Sequence, residues 1–300
     1  MDFSNYLCIG VSLYIFFLGM YIFRFPDRKK IQRYFLTLSG FFSIWISAFV
    51  IRQFISYEYR HYAFDWMLIP TIFFPILFDR IVSLISNPDH KSPKWQLITI
   101  SIFVMYFLWA AISCSFSILD DKDGFKYTST IHYHILIGYQ IGFVGYNILK
   151  LIRSIFLFSG EQRVRLTLMV IGVFVTLIFA LIFIYILPLL GIFYGFLSSI
   201  GALIFFTLWA VAILQYNAFE IKAAVLSGQK VSFFNRVVLI PFLILFRYLD
   251  PNEFRDKSIA FKIALTTDML YTDMNLLFNT DFELDRRAEV LARKYYRYIK

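Results

Sequence analysis

EQRVRLTLMVIGVFVTLIFALIFIYILPLLGIFYGFLSSIGALIFFTLWAVAILQYNAFEI, from Glu161 to Ile221, is the stretch whose reading decides the fold. It holds two apolar runs, Val164 to Leu190 and Ile192 to Tyr216, separated by LPLLGIF, where Pro188 and Gly191 stop a helix. About 20 apolar residues suffice for a helix to cross the hydrocarbon core of a bilayer, and each run reaches that length. Membrane barrel strands alternate apolar and polar residues over about 10 positions, and neither run does. Backbone N–H and C=O groups have no water to bond inside lipid, so a segment that crosses must satisfy them internally as a helix.

Working outward, five more such runs appear: Phe3 to Phe23, Tyr34 to Phe54, Ala63 to Ile85, Gln96 to Ile118 and Ile131 to Phe158. With 59% hydrophobic residues and a mean hydropathy of +0.67, the chain reads as an all-α membrane protein, a seven-transmembrane helix bundle occupying residues 1–217. Residues 218–300 read as a short helical tail, cytoplasmic or membrane-peripheral. The fifth and sixth runs exceed the bilayer thickness and are expected to tilt or project. Pro70 and Pro75 allow a kink in the third.

Lysine and arginine in short loops set orientation. Arg24 to Arg33 carries five basic residues, the third loop has Arg80, Lys91 and Lys94, and the fifth has Lys150, Arg153, Arg163 and Arg165. The alternate loops hold only Arg52, Arg60, Lys122 and Lys126. The expected topology is therefore N-out and C-in, as a multi-pass protein of the cytoplasmic (inner) membrane. The first helix lacks a basic start and a small-residue cleavage site, which predicts an anchor and not a removed signal peptide. The net charge of +9 follows from basic residues at inner helix ends, where they meet anionic lipid; membrane lipids are expected partners and nucleic acid is not. Cys8 and Cys114 read as packing groups.

Three pieces of the opening stretch carry a family likeness: the Gln162, Arg163 and Arg165 start of span six, the Leu-Pro-Leu-Leu-Gly-Ile turn at Leu187 to Ile192, and the Ala-Ile-x-x-Tyr-x-x-Phe-x-Ile end of span seven at Ala212 to Ile221. The chain resembles the N-terminal seven-transmembrane sensor region of bacterial membrane histidine kinases, loosely over residues 1 to about 221 and motif by motif only in the last third. The resemblance implies signal transduction, with the seventh helix passing a signal through Tyr216, Phe219 and Ile221 to a cytoplasmic effector. The tail departs from the family. It is about 80 residues long, no histidine follows His134, and Gly228 is its only glycine. A phosphoacceptor histidine and a glycine-rich ATP lid or P-loop are thus missing, and the expectation is a non-enzymatic sensor or receptor-like protein that signals to a separate partner.

Within the tail, VVLIPFLILF (Val237 to Phe246) is too short to span and suits an interfacial or buried segment. Ile259, Ile263, Leu270, Met274 and Leu277 approximate one helical face, and a final helix is expected from Asp281. Either a helical cap or a docking surface for a signalling protein fits this pattern.

Polar residues within spans mark the candidate sites. In span five, Tyr133, Gln140 and Asn147 recur every seven residues and, with the adjacent Tyr139, could line a small-ligand pocket; interhelical hydrogen bonding without ligand is the alternative. Gly138 and Gly142 form a G-x-x-x-G close-packing pair. His61, His132, His134 and Asp65 are candidates for proton or ion sensing, although His132 and His134, two apart on a helix, point about 200° apart. No cofactor or resident metal is expected. Span seven lacks the lysine a retinal protein needs, and no His-Glu-x-x-His occurs. A small-solute transporter or lipid-interacting membrane protein is the competing reading, although spans six and seven have no comparably interrupted counterpart earlier in the chain.

Overall fold

The computed structural model describes residues 3–24, 29–87, 89, 93–121, 125–215, 218–226 and 233–299. Among the described residues, seven helical segments are long and apolar enough to cross a membrane: Phe3–Phe23, Lys30–Phe54, Tyr57–Ser86, Lys94–Ile112, Ile131–Leu157, Gly160–Leu189 and Gly195–Leu214. Each matches one of the seven apolar runs. The chain divides into two compact units, Met1–Ser154 with Leu168–Ala210, and Ile155–Thr167 with Val211–Lys300. The ends of spans five to seven are thus grouped with the tail.

In the first unit, α1 (Phe3–Phe23) and α2 (Lys29–Ile51) form an antiparallel pair held by small residues. Ser12 and Ser43 exchange hydroxyl bonds to each other's carbonyl at 2.9 and 3.0 Å, and Ser47 meets Ser12 at 2.7 Å. A Cβ at Gly19 would sit 2.8 Å from Ser39 Cβ. Close backbone approach replaces the hydrophobic drive that lipid cannot supply. The third span is three pieces, α3 (Arg60–Trp66), α4 (Ile69–Ile72) and α5 (Phe74–Ser86), because Pro70 and Pro75 withhold backbone donors and fix the start of each new turn.

Two expectations change here. Span four, α6 (Lys94–Ile112), stops six residues before the expected Ile118, and an antiparallel hairpin of β1 (Ser117–Asp121) and β2 (Lys126–Ser129) follows, so the chain is not strictly all-α. Cys114, at φ +52°, turns the backbone out of the helix, and Asp65 fixes the new direction by accepting from Phe116 N at 2.9 Å and Ser117 Oγ at 2.6 Å. Second, among the described residues nothing packs at Gly138 and Gly142, on α7 (Ile131–Leu157): a Cβ at either meets open space. Close approach falls instead at Gly19, and at Gly201 of α10 (Ser198–Leu214), whose carbonyl accepts from Thr176 Oγ1 at 2.7 Å.

The second unit holds α11 (Ala218–Leu226), α12 (Phe233–Leu249), α13 (Pro251–Asn279) and α14 (Leu284–Ile299). The segment Val237 to Phe246 lies within α12, which buries Leu239, Phe242 and Phe246. Ile259, Ile263, Leu270, Met274 and Leu277 all lie on α13 and are exposed. The final helix starts at Leu284, near the expected Asp281, and its Tyr295 and Lys294 bond Asp268 and Thr272 of α13.

A matched pair of substitutions tests where helices pack. Gly19→Val is expected to lose about 1–3 kcal/mol of stability through overpacking, and Gly138→Val to stay within about 0.5 kcal/mol of wild type, by thermal unfolding in detergent.

Candidate functional site

The site grows from a defect in span six. In an α-helix the Ile184 carbonyl would accept from residue 188, but that residue is Pro188 and has no N–H. Between α8 (Gly160–Ala180) and α9 (Leu187–Leu189) the helix widens into a π turn, Leu181–Ile186, with Leu187 N bonding Ile182 O. The orphaned Ile184 carbonyl is taken from outside the helix, by Tyr133 Oη at 2.9 Å and Tyr127 Oη at 3.4 Å. Burial raises the Tyr127 phenol above its usual range, so it stays protonated and able to donate. Three residues on, the helix closes in a Schellman motif: Ile192 N bonds Leu187 O at 2.9 Å, Gly191 N bonds Pro188 O at 3.0 Å, and Gly191 sits at φ +78°. The expected stop at Pro188 and Gly191 is therefore realised, with the π turn as an addition.

Beside this defect lies a cavity of about 120 Å³ walled by spans two, three, five, six and seven. Its lining is apolar, dominated by Phe42, Phe74, Phe78 and Phe205, with Phe42 and Phe74 stacked at 3.8 Å between centroids. Few polar groups face it. Gln140 bonds the Thr71 carbonyl at 3.4 Å, and Tyr133 is committed to Ile184. Trp45 is different: its Nε1–H is buried and has no acceptor among the described residues. An apolar hollow of this size suits a small, largely apolar molecule.

The stripe on span five is thus partly assembled. Tyr133 and Gln140 line the cavity; Asn147 and Tyr139 do not. Asn147 donates to Phe143 O, one turn back on its own helix, and Tyr139 donates to Ile72 O at 3.2 Å. Interhelical hydrogen bonding accounts for Tyr139. The histidine set is dispersed. His132 Nδ1 meets Tyr106 Oη at 2.6 Å, and His134 Nδ1 meets Tyr185 Oη at 3.0 Å on another helix, as the 200° divergence requires. His61 stacks on Tyr62, while Asp65 anchors the hairpin. Among the described residues no three His, Cys, Asp or Glu side chains gather as a metal site. Sequence reasoning missed Trp45, because nothing in the local pattern separates an unmet indole from a packed one.

In the second unit, acidic groups tie the start of α8 to the tail. Asp250 caps α13 by accepting from Glu253 N at 3.4 Å, and also accepts from Gly160 N at 2.8 Å and pairs with Arg163 at 3.5 Å. Gly160, at φ +67°, is required there: a Cβ would meet Glu253 Cγ at 2.8 Å. Glu161 accepts from Ala218 N at the start of α11 and pairs with Lys257, each at 3.3 Å. Arg165, buried, donates to the Ala212 carbonyl at the end of span seven. Of the expected exit residues, Phe219 packs within 6.3 Å of Phe246, Phe254 and Phe261, Ile221 lies on α11, and Tyr216 is outside the described residues.

No family model matches the chain, and no curated protein or solved structure matches it.

Two substitutions check these roles. Tyr133→Phe leaves Ile184 O with only the longer Tyr127 bond and is expected to cost about 1–2 kcal/mol in thermal unfolding. Asp250→Ala removes a helix cap and a bond to charged Arg163 together, and is expected to cost about 2 kcal/mol and to speed backbone hydrogen exchange at the start of α13.

Proposed function

We propose that the chain is a non-enzymatic membrane sensor or receptor-like protein. Its seven-helix region binds a small ligand and signals through its tail to a separate cytoplasmic partner. The observation that carries this reading is the apolar cavity walled by five spans, since a hollow left inside a packed bundle costs stability that a core built only for stability would recover by filling it.

The route outward follows the chain itself. Spans six and seven supply Val173, Thr176, Ala202 and Phe205 to the cavity wall. The same helices supply Glu161, Arg163, Arg165 and Ala212 to the network that holds Ala218, Asp250 and Lys257. An occupant that prefers one packing of spans six and seven shifts the equilibrium of those end contacts by its difference in affinity for the two packings. The resemblance to the sensor region of bacterial histidine kinases supports the same direction of signalling, with the C-terminus in the cytoplasm of a bacterial inner-membrane protein.

Filling the cavity tests the proposal without a known ligand. Ala202→Leu places a larger side chain on the cavity wall and is expected to change hydrogen exchange across residues 211–226 and 233–249 by threefold or more. Unchanged exchange there, with a melting temperature that still registers the substitution, would leave the cavity without influence on the tail and favour the transporter or lipid-binding alternative.

A further inference from the structure

Arg52, at the end of span two, contributed to the sequence reading only as one of the few basic residues on its side. Its surroundings are unusual. The guanidinium carries five N–H donors and a fixed charge, yet its one hydrogen-bond acceptor among the described residues is the Met67 thioether sulfur, at 3.8 Å. Nε is buried without a partner, and none of the ion pairs among the described residues includes it. What surrounds it is aromatic: Phe125, Phe49 and Phe64, with ring centroids 4.4, 5.0 and 5.7 Å from Cζ. Cation–π contacts orient the group and offset part of its desolvation, but they leave its donors unfilled.

Arg52 stands between two hollows. On one side is a pocket of about 430 Å³ at the hairpin end of the bundle, whose polar lining includes Ser4, Asn5, Gln53 and a second arginine, Arg60. On the other is a narrow space of about 40 Å³, which shares Trp45, Leu68, Tyr133 and Ile184 with the apolar cavity. The order of surfaces from hairpin end to core is therefore polar and cationic, then aromatic, then apolar.

We infer that the ligand of this bundle is an anionic amphiphile, whose carboxylate or phosphate head is held by Arg52 while its apolar body passes Phe49 and Phe193 toward the cavity. A planar guanidinium with open donors takes either head group in a forked geometry. The charge of the head satisfies a cation that the fold leaves uncompensated, and the apolar chain displaces nothing but empty space. Lipid head groups and free amphiphilic acids share this chemistry. The inference rests on the cavity being a ligand site and adds the class of ligand to it.

The test uses the full chain in phosphatidylcholine nanodiscs, with decanoate, decyl phosphate and the neutral 1-decanol as probes, read by thermal shift and tryptophan fluorescence. Decanoate and decyl phosphate are expected to raise the melting temperature, and Arg52→Gln to weaken both by tenfold or more while leaving decanol unchanged. Because the substitution removes a half-buried cation with no ion pair among the described residues, unliganded Arg52→Gln is expected to melt at or above wild type, which separates lost binding from lost folding. A second arm replaces part of the phosphatidylcholine with phosphatidylglycerol. A rise in wild-type melting temperature that Arg52→Gln lacks assigns the head group to lipid; equal melting in both nanodiscs, with decanoate still bound, assigns it to a free amphiphile. If decanol binds as well as decanoate and Arg52→Gln alters neither, the anionic assignment falls and the cavity reading stands. If no probe binds, both fall.

Discussion

A backbone carbonyl inside hydrocarbon must find a donor within the protein, and most of this architecture follows from that requirement. It makes the apolar runs helical, and it decides what happens where a helix cannot be regular. Pro188 deprives Ile184 O of its partner, the helix widens, and Tyr133 reaches across from span five to supply the bond. Two spans are thereby locked at the edge of a cavity. The same logic governs span three, where Pro75 cannot donate to the Thr71 carbonyl and Gln140 of span five meets it, while Tyr139 adds a bond to the Ile72 carbonyl. Span five carries the polar side chains because spans three and six carry the prolines.

How far the sequence revealed this depends on the range of the signal. Hydropathy over about 20 residues located every span to within six positions at either end, since lipid imposes the same demand along the whole segment. Pro188 and Gly191 were legible as a stop because their chemistry is local. The hairpin after Ile112 was not: Phe116 and Ile118 extend an apolar run, and what turns them into a strand is Asp65, 51 residues earlier. The glycine pair at Gly138 and Gly142 has the spacing for close packing, but among the described residues of this chain the close approach is at Gly19, beside Ser39. Of the candidate pocket stripe, Tyr133 and Gln140 reach the cavity, and Asn147, two turns further along, satisfies its amide on its own helix. Trp45 and Arg52 could not be singled out, because an unmet donor is a property of what surrounds it.

The two units divide the work. One holds a hollow and, among its described residues, buried donor atoms that include Trp45 Nε1 and Arg52 Nε. The other holds a network in which Asp250 and Glu161 each bind both a backbone N–H and a cation. Charged groups satisfied this fully have few alternative arrangements, and under the proposed function such a network would register a small displacement of a helix end as a discrete change.

The proposed topology has seven segments crossing a bilayer, an odd number, which assigns Thr128 and Asp285 to different compartments. Single cysteines at Thr128 and Asp285, in a chain whose Cys8 and Cys114 are replaced by serine, measure this directly through labelling of intact cells with an impermeant maleimide. The account predicts that Thr128→Cys is labelled from outside and Asp285→Cys only after permeabilisation. Labelling of both positions from the same side would contradict it.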